Sequence, residues 1–360
     1  MSTAEREDAF QRTRFWPSLD GLRAISIAAV VWHHAAGPRA GLAGQGFRGV
    51  DLFFAISGFL ITTLLLREQA RTGTVDLGGF YLRRALRIFP LYYASLAVYS
   101  LLVRTLEPNT FAGHEFMHNL PYFATYTSNW FIDLQGERVI FYFAWSLATE
   151  QQFYAVWPWV LRFSRKRDTP LFFMAALALV WLAARVGVSL GWLETARLPV
   201  RILLYISPAI CLGSIAAILV HRPAGFRWLD LLLGRRWSLP LLFAAVIAAL
   251  AVPASPDLLI AALMACVVVA CCLRPDHPLK GALENRVVLH VGKVSYGIYL
   301  LHLLAINAVR RVTHLHYGWV VFSLGFLLAI AGASLSYQYF ERRFLDLKDQ
   351  LTRRAAAIAA

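Results

Sequence analysis

The sequence has little charge and few cysteines, and both scarcities limit what the chain can be. Only 16% of its 360 residues are charged, whereas 58% are hydrophobic, and its mean hydropathy is +0.55. Soluble domains are roughly one-quarter charged, so this composition excludes an ordinary soluble protein and indicates a membrane protein. The four cysteines all fall in apolar stretches without metal-type spacing, so they predict neither a disulfide framework nor a zinc site.

Apolar runs recur along the chain at close to the roughly 20 residues that a spanning helix needs. We predict an all-α integral membrane protein, a bundle of about ten transmembrane helices that forms one domain over residues 1–360. The tails 1–14 and 351–360 are expected to be poorly ordered. The predicted spans are 20–36, 48–67, 86–105, 145–163, 170–190, 200–220, 238–252, 257–273, 291–309 and 317–340.

The positive residues behind the net charge of +14 lie where they would orient the chain in the membrane, and they do not form a continuous binding surface. Lys and Arg cluster in alternate segments between the spans, which places both termini in the cytoplasm by the positive-inside rule. We therefore expect the lipid bilayer, and no nucleic acid, as the partner of this charge. Lys and Arg are concentrated on the cytoplasmic side only if the apolar patch 120–134 does not cross the bilayer. This patch is therefore expected to be re-entrant or interfacial.

The first predicted span reads SLDGLRAISIAAVVWHHA and contains four ionisable residues, which are costly in a membrane and usually functional. At about 100° per residue, His34 lies about 20° from Arg23 and about 40° from Asp20 around the helix. His33 points about 80° away from Arg23 on the other side. His34 is therefore the candidate catalytic base, and a histidine that is hydrogen-bonded between helices is the alternative.

The segment FYLRRALRIFPLYY places Arg83, Arg84 and Arg87 within an arc of about 100° at the cytoplasmic end of the third predicted span. Three guanidinium groups on one face suit a polyphosphate, because arginine binds phosphate in a bidentate manner and keeps its charge near an apolar surface. This arginine cluster could hold the nucleotide end of coenzyme A. A positive anchor for anionic lipid explains the segment equally well.

In the fourth predicted span, Ser146, Glu150 and Tyr154 recur every four residues along one face. Glu150 lies roughly 8 Å inside the outer end of its helix and His34 roughly 21 Å from the inner end of its own, so both reach the outer half of the bilayer. They could form a general-base pair in which Glu150 orients His34. Tyr299, on a polar face of the ninth span, either lines the same cavity or bonds between helices.

Two other functions stay open at this point. The string HEFMH, with His114, Glu115 and His118, matches the H-E-x-x-H zinc signature, which would make the chain a membrane zinc peptidase. No obvious third ligand follows it, and chance produces such a match on the order of once per hundred similar chains. A polar cavity among many spans also suits a transporter or flippase, but no inverted repeat is visible in the sequence.

Several strings, taken in order, resemble the bacterial acyltransferase family three, whose members O-acylate O-antigens, exopolysaccharides and other glycans. The resemblance extends over nearly the whole chain and rests on SLDGLRAISIAAVVWHH, GVDLFFAISGFLIT, FYLRRALRIFP, the Asn129 and Trp130 pair, WSLATEQQFY, VSYGIYLLH and YFERRF. It implies that His34 is catalytic, that the family's arginine motif is the arginine cluster, and that its glutamate motif falls on Glu150. Gln151 stands where an acidic residue is common in the family, so no acid-base role is expected there.

The resemblance implies a membrane O-acyltransferase that moves an acyl group, expected to be acetyl, from cytoplasmic acyl-CoA to a hydroxyl of a free or lipid-linked carbohydrate. His34 would act as general base, without a metal, in the bacterial inner membrane. Arg23 is assigned to the donor site together with Arg83, Arg84 and Arg87. Assigned to substrate binding are Asp20, Ser146, Tyr154 and Tyr299. No esterase-like domain outside the membrane is expected.

Overall fold

The computed structural model describes residues 3–37, 41–134 and 139–359, and the regular elements within these ranges are helices. Residues 1, 2 and 360 of the two predicted tails lie outside the described residues. The α-helices are α1 (Thr3–Arg12), α2 (Pro17–Ala36), α3 (Gly49–Thr72), α4 (Leu77–Leu106), α5 (Phe111–Ala124), α6 (Ser128–Phe131), α7 (Ala144–Phe163), α8 (Thr169–Ser189), α9 (Leu198–Leu204), α10 (Pro208–Val220), α11 (Pro223–Leu233), α12 (Ser238–Ala251), α13 (Asp257–Leu273), α14 (Lys280–Leu283), α15 (Arg286–Lys293), α16 (Ser295–Thr313), α17 (Trp319–Ser336) and α18 (Arg342–Ala359). A 3-10 helix (Gly41–Arg48) precedes α3, and a π-helical turn (Tyr337–Glu341) joins α17 to α18.

Each of the ten predicted spans overlaps helical residues, and four helical stretches are long and apolar enough to cross a membrane. These four are Gly44–Thr72, Leu77–Leu106, Thr169–Ser189 and Trp319–Thr352. Three further pairs pass the same test only as bent helices: α9 with α10 at 46°, α11 with α12 at 73°, and α15 with α16 at 79°. The described residues thus form an all-helical membrane protein with four to seven candidate spans by length and composition. The count of ten and the side of each terminus stay predictions.

Contacts divide the chain into two compact units. Unit one is built from Met1–Arg71, Lys166–Ala178 and Ser207–Ser334, and unit two from Thr72–Arg165, Leu179–Ile206 and Leu335–Ala360. In unit one, α2 packs against α13, α14, α15 and α16. The helices approach closely because two positions have no side chain: a Cβ on Gly21 would collide with the Leu283 carbonyl, and a Cβ on Gly292 with the Asp20 carbonyl. The first half of α2 is therefore fixed against α14 and α15.

The N-terminal helix α1 also belongs to unit one. The segment 1–14 was expected to be loosely ordered, but its described part forms a helix that contacts three others, α3, α11 and α13. Arg6 forms a salt bridge with the buried Asp230 of α11 at 2.5 Å. Arg67 of α3 donates to the Phe10 carbonyl at 2.7 Å, which satisfies one of the last carbonyls of α1. Ion pairing and capping explain why this polar segment is helical.

In unit two, α4 packs against α5, α7 and α18. The α4 helix begins at an N-cap, Asp76, whose carboxylate accepts the Gly79 N–H at 3.0 Å. Tyr81 donates its hydroxyl proton to the Ala155 carbonyl of α7 at 2.7 Å, which joins α4 to α7. This bond brings the arginine cluster of α4 to the middle of α7.

The patch 120–134 is a broken segment of unit two. Helix α5 ends at Ala124, a turn with a left-handed residue at Tyr126 (φ 55°) follows, and α6 has only four residues. Asn129 of α6 and Gln152 of α7 exchange two amide hydrogen bonds of 2.9 and 3.0 Å, which hold α6 against α7. Neither helix has the roughly 20 residues of a span. Whether the patch is re-entrant or interfacial stays a prediction.

Candidate active site

His34 lies near the C-terminal end of α2 in unit one, half-buried beside two other imidazoles. Its ring centroid is 5.1 Å from that of His302 on α16 and 4.9 Å from that of His33. His302 is fully buried, and its Nδ1 lies 2.6 Å from the Tyr299 carbonyl. A carbonyl only accepts, so Nδ1 of His302 bears a proton, and in the neutral ring Nε2 would present the lone pair. The structure thus brings a second imidazole next to His34.

His33 and His34 face different neighbours. The His33 Nδ1 lies 3.2 Å from the Gly44 carbonyl, and its ring meets the edge of Phe47 at 5.5 Å. His33 therefore contacts the 3-10 helix before α3, whereas His34 faces α16. The sequence predicted that the two histidines point in different directions, and the role assigned to His34 stays a prediction.

Asp20 and Arg23 form an ion pair of 2.5 Å near the N-terminal end of α2. Arg23 is separated from His34 by eleven residues, about 16 Å along the helix axis. The two residues share a face with His34, but the ion pair lies about three turns away from it. If Arg23 binds the donor and Asp20 the substrate, they do so at the end of α2 opposite to His34.

The three arginines of the cluster, in unit two, have different surroundings. The Arg84 guanidinium lies over the Phe80 ring at 5.8 Å and over the Tyr154 ring at 5.6 Å. Such contacts stabilise a cation by about 0.5 to 2 kcal/mol. Arg83 points toward the start of α4, where its Nη1 lies beside Gly79. Arg84 is therefore held by aromatic rings that belong to two helices.

Arg87 is the exposed member of the arginine cluster and interacts electrostatically with Glu341 of the π-helical turn. The Ser336 hydroxyl donates to the same carboxylate at 3.2 Å. The end of α17 and the start of α18 thus approach the cluster. A single π-helical turn often occurs at a functional site.

Glu150 meets the arginine cluster through Tyr154. The Tyr154 hydroxyl donates to Glu150 Oε1 at 2.5 Å, and the same ring lies under the Arg84 guanidinium. Tyr154 is only 5% exposed, so this geometry is fixed by packing as well as by the hydrogen bond. The sequence placed Glu150 and Tyr154 on one face, but it did not indicate that Arg84 joins them.

The remaining predicted site residues are held by the protein itself. The buried Ser146 donates its hydroxyl proton to the Phe143 carbonyl at 3.1 Å. Tyr299 is buried in unit one, with its ring centroid 5.6 Å from that of His302. His34 and Tyr299 lie in unit one, and Glu150, Ser146 and Tyr154 lie in unit two. The pairing of Glu150 with His34 therefore stays a prediction.

The zinc signature lies on α5, with the side chains of His114, Glu115 and His118 exposed to solvent. Within the described part of the chain, no group of three or more His, Cys, Asp or Glu side chains is placed to hold a metal ion. The spacing that suggested zinc is thus not accompanied by a ligand set.

Two residues near His34 were not selected from the sequence. The His302 ring lies against the His34 ring, and Arg310 donates to the His34 carbonyl. The available signal was an arginine in the last turn of an apolar helix, which is weak because such residues commonly complement the helix dipole.

Ionisable groups in an apolar helical protein commonly mark a functional site, and the histidines around His34 and the arginine cluster are such groups. The chain belongs to acyltransferase family three: the family model, described as an acyltransferase domain, matches residues 16–338. It is therefore an acyltransferase, as the resemblance implied.

Curated relatives of this chain include proteins of Staphylococcus aureus. O-acetyltransferase OatA of strain NCTC 8325 / PS 47 is 33% identical over 194 residues, which cover 52% of this chain and 30% of that protein. A protein of strain MSSA476, provisionally named an O-acetyltransferase, is 35% identical over 159 residues, which cover 42% of this chain and 26% of that protein. The chain thus matches under a third of each relative's length. No solved structure matches the chain.

Proposed function

We propose that this acyltransferase moves an acyl group, expected to be acetyl, from cytoplasmic acyl-CoA to a hydroxyl of a carbohydrate such as an exopolysaccharide or O-antigen. The acceptor, free or lipid-linked, would be met on the outer side of the bacterial inner membrane. Ten spans with both termini in the cytoplasm would give the donor and the acceptor access from opposite sides. Family membership and the O-acetyltransferase names of the relatives support acyl transfer to oxygen.

The observation that carries the proposal is the position of His34. Its imidazole is half-buried and lies against the buried His302 ring. The chain that contains it belongs to an acyltransferase family. A half-buried neutral imidazole can accept a proton from a hydroxyl that approaches from outside. These features support His34 as the general base.

In the proposed reaction, His34 removes the proton of the acceptor hydroxyl as its oxygen attacks the thioester carbonyl. The new C–O ester bond forms, the C–S bond breaks, and the coenzyme A thiolate leaves and takes up a proton. Glu150 would stabilise the imidazolium by pairing with it. Direct transfer needs no acyl-enzyme, although an acyl-histidine intermediate would use the same residue.

The arginine cluster is proposed to hold the phosphates of the donor. All three arginines are candidates for direct contact: Arg84 is held over two aromatic rings, and Arg87 interacts with Glu341. Bidentate contact to phosphate would distinguish this role from a lipid anchor, which needs only charge.

The function is tested with the full-length protein in lipid nanodiscs, radiolabelled acetyl-CoA and a glycan acceptor. We expect transfer by the wild type, none by His34→Ala, and measurable transfer by His33→Ala, which changes the adjacent imidazole that faces elsewhere. Equal loss in both variants, with normal folding, would contradict the role of His34.

Donor binding is tested with Arg83→Lys and Arg87→Lys, which keep the charge and the orientation of insertion. Loss of bidentate geometry should weaken acetyl-CoA binding by about 10-fold to 150-fold, the equivalent of one charge-assisted contact. Arg165→Lys, an exposed arginine of the same unit outside the cluster, is the matched control. Wild-type affinity in both cluster variants would remove the arginine cluster from the donor site.

A further inference from the structure

The end of α2 that bears His34 is bonded to a distant part of unit one. Helix α2 ends at Ala36, so the carbonyls of its last turn lack the N–H donors that a longer helix would supply. Arg310 Nη2 donates to the His34 carbonyl at 2.7 Å, and the Gly318 N–H donates to the Ala35 carbonyl at 3.1 Å. Both donors come from the end of α16 and the connection to α17.

Arg310 is itself held in a fixed orientation. Its Nε donates to the His316 carbonyl at 2.7 Å, and its guanidinium lies over the Tyr317 ring at 5.0 Å. The same ring lies against Gly37, the residue after α2, whose φ of 79° and lack of a side chain permit this approach. Two carbonyls and one ring therefore determine where the guanidinium lies.

We propose that Arg310 is a positioning residue for His34: by holding the main chain at His34, it fixes the direction of the imidazole. This inference rests on the proposed function of His34. The arrangement uses the geometry of arginine, because a planar guanidinium donates to two carbonyls in different directions and stacks on a ring at the same time. A lysine ammonium keeps the charge near the helix C-terminus but cannot keep all three contacts.

The test compares Arg310→Lys with Arg311→Lys in nanodiscs. Arg311 is the next residue of α16 and is exposed, so its substitution changes the same side-chain chemistry beside the same loop. We expect kcat of Arg310→Lys to fall about 10-fold to 100-fold, because a small displacement of a catalytic group is costly. The KM for acetyl-CoA should stay near the wild-type value, since no donor contact is proposed for Arg310.

Amide hydrogen exchange at residues 33–37 gives a readout that does not depend on activity. We expect faster exchange there in Arg310→Lys and wild-type exchange in Arg311→Lys, because only the first substitution releases the His34 carbonyl. If Arg310→Lys does not fold, Tyr317→Leu decides, since it removes the ring under the guanidinium and should show the same changes with smaller size.

The outcomes separate the two proposals. Transfer that survives His34→Ala would refute the proposed function, whatever Arg310 does. An inactive His34→Ala together with wild-type kcat in the folded Arg310 or Tyr317 variant would overturn the positioning role alone. Faster exchange without a fall in kcat would also overturn it, because Arg310 would then hold the helix end without affecting catalysis.

Discussion

Replacing Tyr154 with Phe removes one hydroxyl and leaves the ring in place. In the structure this hydroxyl donates to Glu150 Oε1 at 2.5 Å, while the ring supports the Arg84 guanidinium at 5.6 Å. The substitution therefore separates the two contacts of one side chain. If Tyr154 orients Glu150 for catalysis, the chemical step should slow, and donor binding through the arginine cluster should not change.

The size of the effect follows from the hydrogen bond that is lost. A hydrogen bond to a charged group contributes about 1.5 to 3 kcal/mol, and the lower value applies where water can replace the missing donor. Glu150 is half-buried, so water can reach it. We therefore expect kcat to fall by roughly 10-fold, the equivalent of about 1.4 kcal/mol. Tyr154→Leu removes the ring as well, and it should also weaken donor binding because Arg84 loses a cation–π contact.

The assay measures kcat with saturating acetyl-CoA, and donor affinity by a separate binding measurement on the same nanodiscs. Tyr93→Phe is the matched control, since its hydroxyl donates to the Ala124 carbonyl at 2.9 Å in the same unit but not to a carboxylate. A wild-type kcat for Tyr154→Phe would refute the reasoning. So would an equal loss in Tyr93→Phe, because a general effect of losing a hydroxyl would then explain both.

Two further predictions concern residues outside the proposed chemistry. Glu115→Gln should keep transfer near the wild-type rate, and metal analysis of the purified protein should find no stoichiometric zinc. Burial lowers the pKa of His277 below its usual value near 6.5, so the unfolded chain binds more protons there and stability falls as the pH decreases below about 6.5. His277→Gln should therefore make the melting temperature less sensitive to acid, and an unchanged acid slope in thermal unfolding would contradict this.

Hydropathy predicted where most helices lie, because a spanning helix must satisfy its backbone internally and present an apolar surface to lipid. It did not predict how they bend. The 79° break between α15 and α16 falls at Val294, between Lys293 and Ser295, and no proline marks it. Such a bend is fixed by tertiary packing, for example by the close approach of Gly292 to the Asp20 carbonyl, and one sequence does not show which glycine makes a contact.

The polar N-terminal segment is a helix that hydropathy did not predict. Residues 1–14 are predicted to be poorly ordered as a terminal segment, yet Arg6 and the buried Asp230, more than 200 residues apart, form a salt bridge. Local propensity did not reveal this helix, because its order depends on partners from α3 and α11. The same reasoning applies to the site. Helical geometry placed Glu150 and Tyr154 on one face, but Arg84 joins them from a different helix.

The role of Arg310 could not be predicted from the sequence for the same reason, since it depends on a contact between distant residues. Its bond to the His34 carbonyl joins residues 276 positions apart, and only the termination of α2 at Ala36 creates the need for it. Sequence patterns can identify the residue that does chemistry, because an ionisable group in an apolar helix is rare. They seldom identify the residue that holds it in place, because an arginine near a helix end has many ordinary explanations.

In the structure Glu150 accepts a hydrogen bond from Tyr154, and the sequence predicts that it also pairs with His34. One carboxylate has enough acceptor positions for both partners. An ionised carboxylate has two oxygens and accepts about four hydrogen bonds, whereas the Tyr154 hydroxyl occupies one position on Oε1. A hydroxyl donor does not neutralise a carboxylate, so the bond from Tyr154 is compatible with the predicted pairing of Glu150 and His34. Tyr154 would then restrict the rotation of the carboxylate and leave its charge available. For this reason Tyr154→Phe should slow transfer, whereas loss of the His34 imidazole should abolish it.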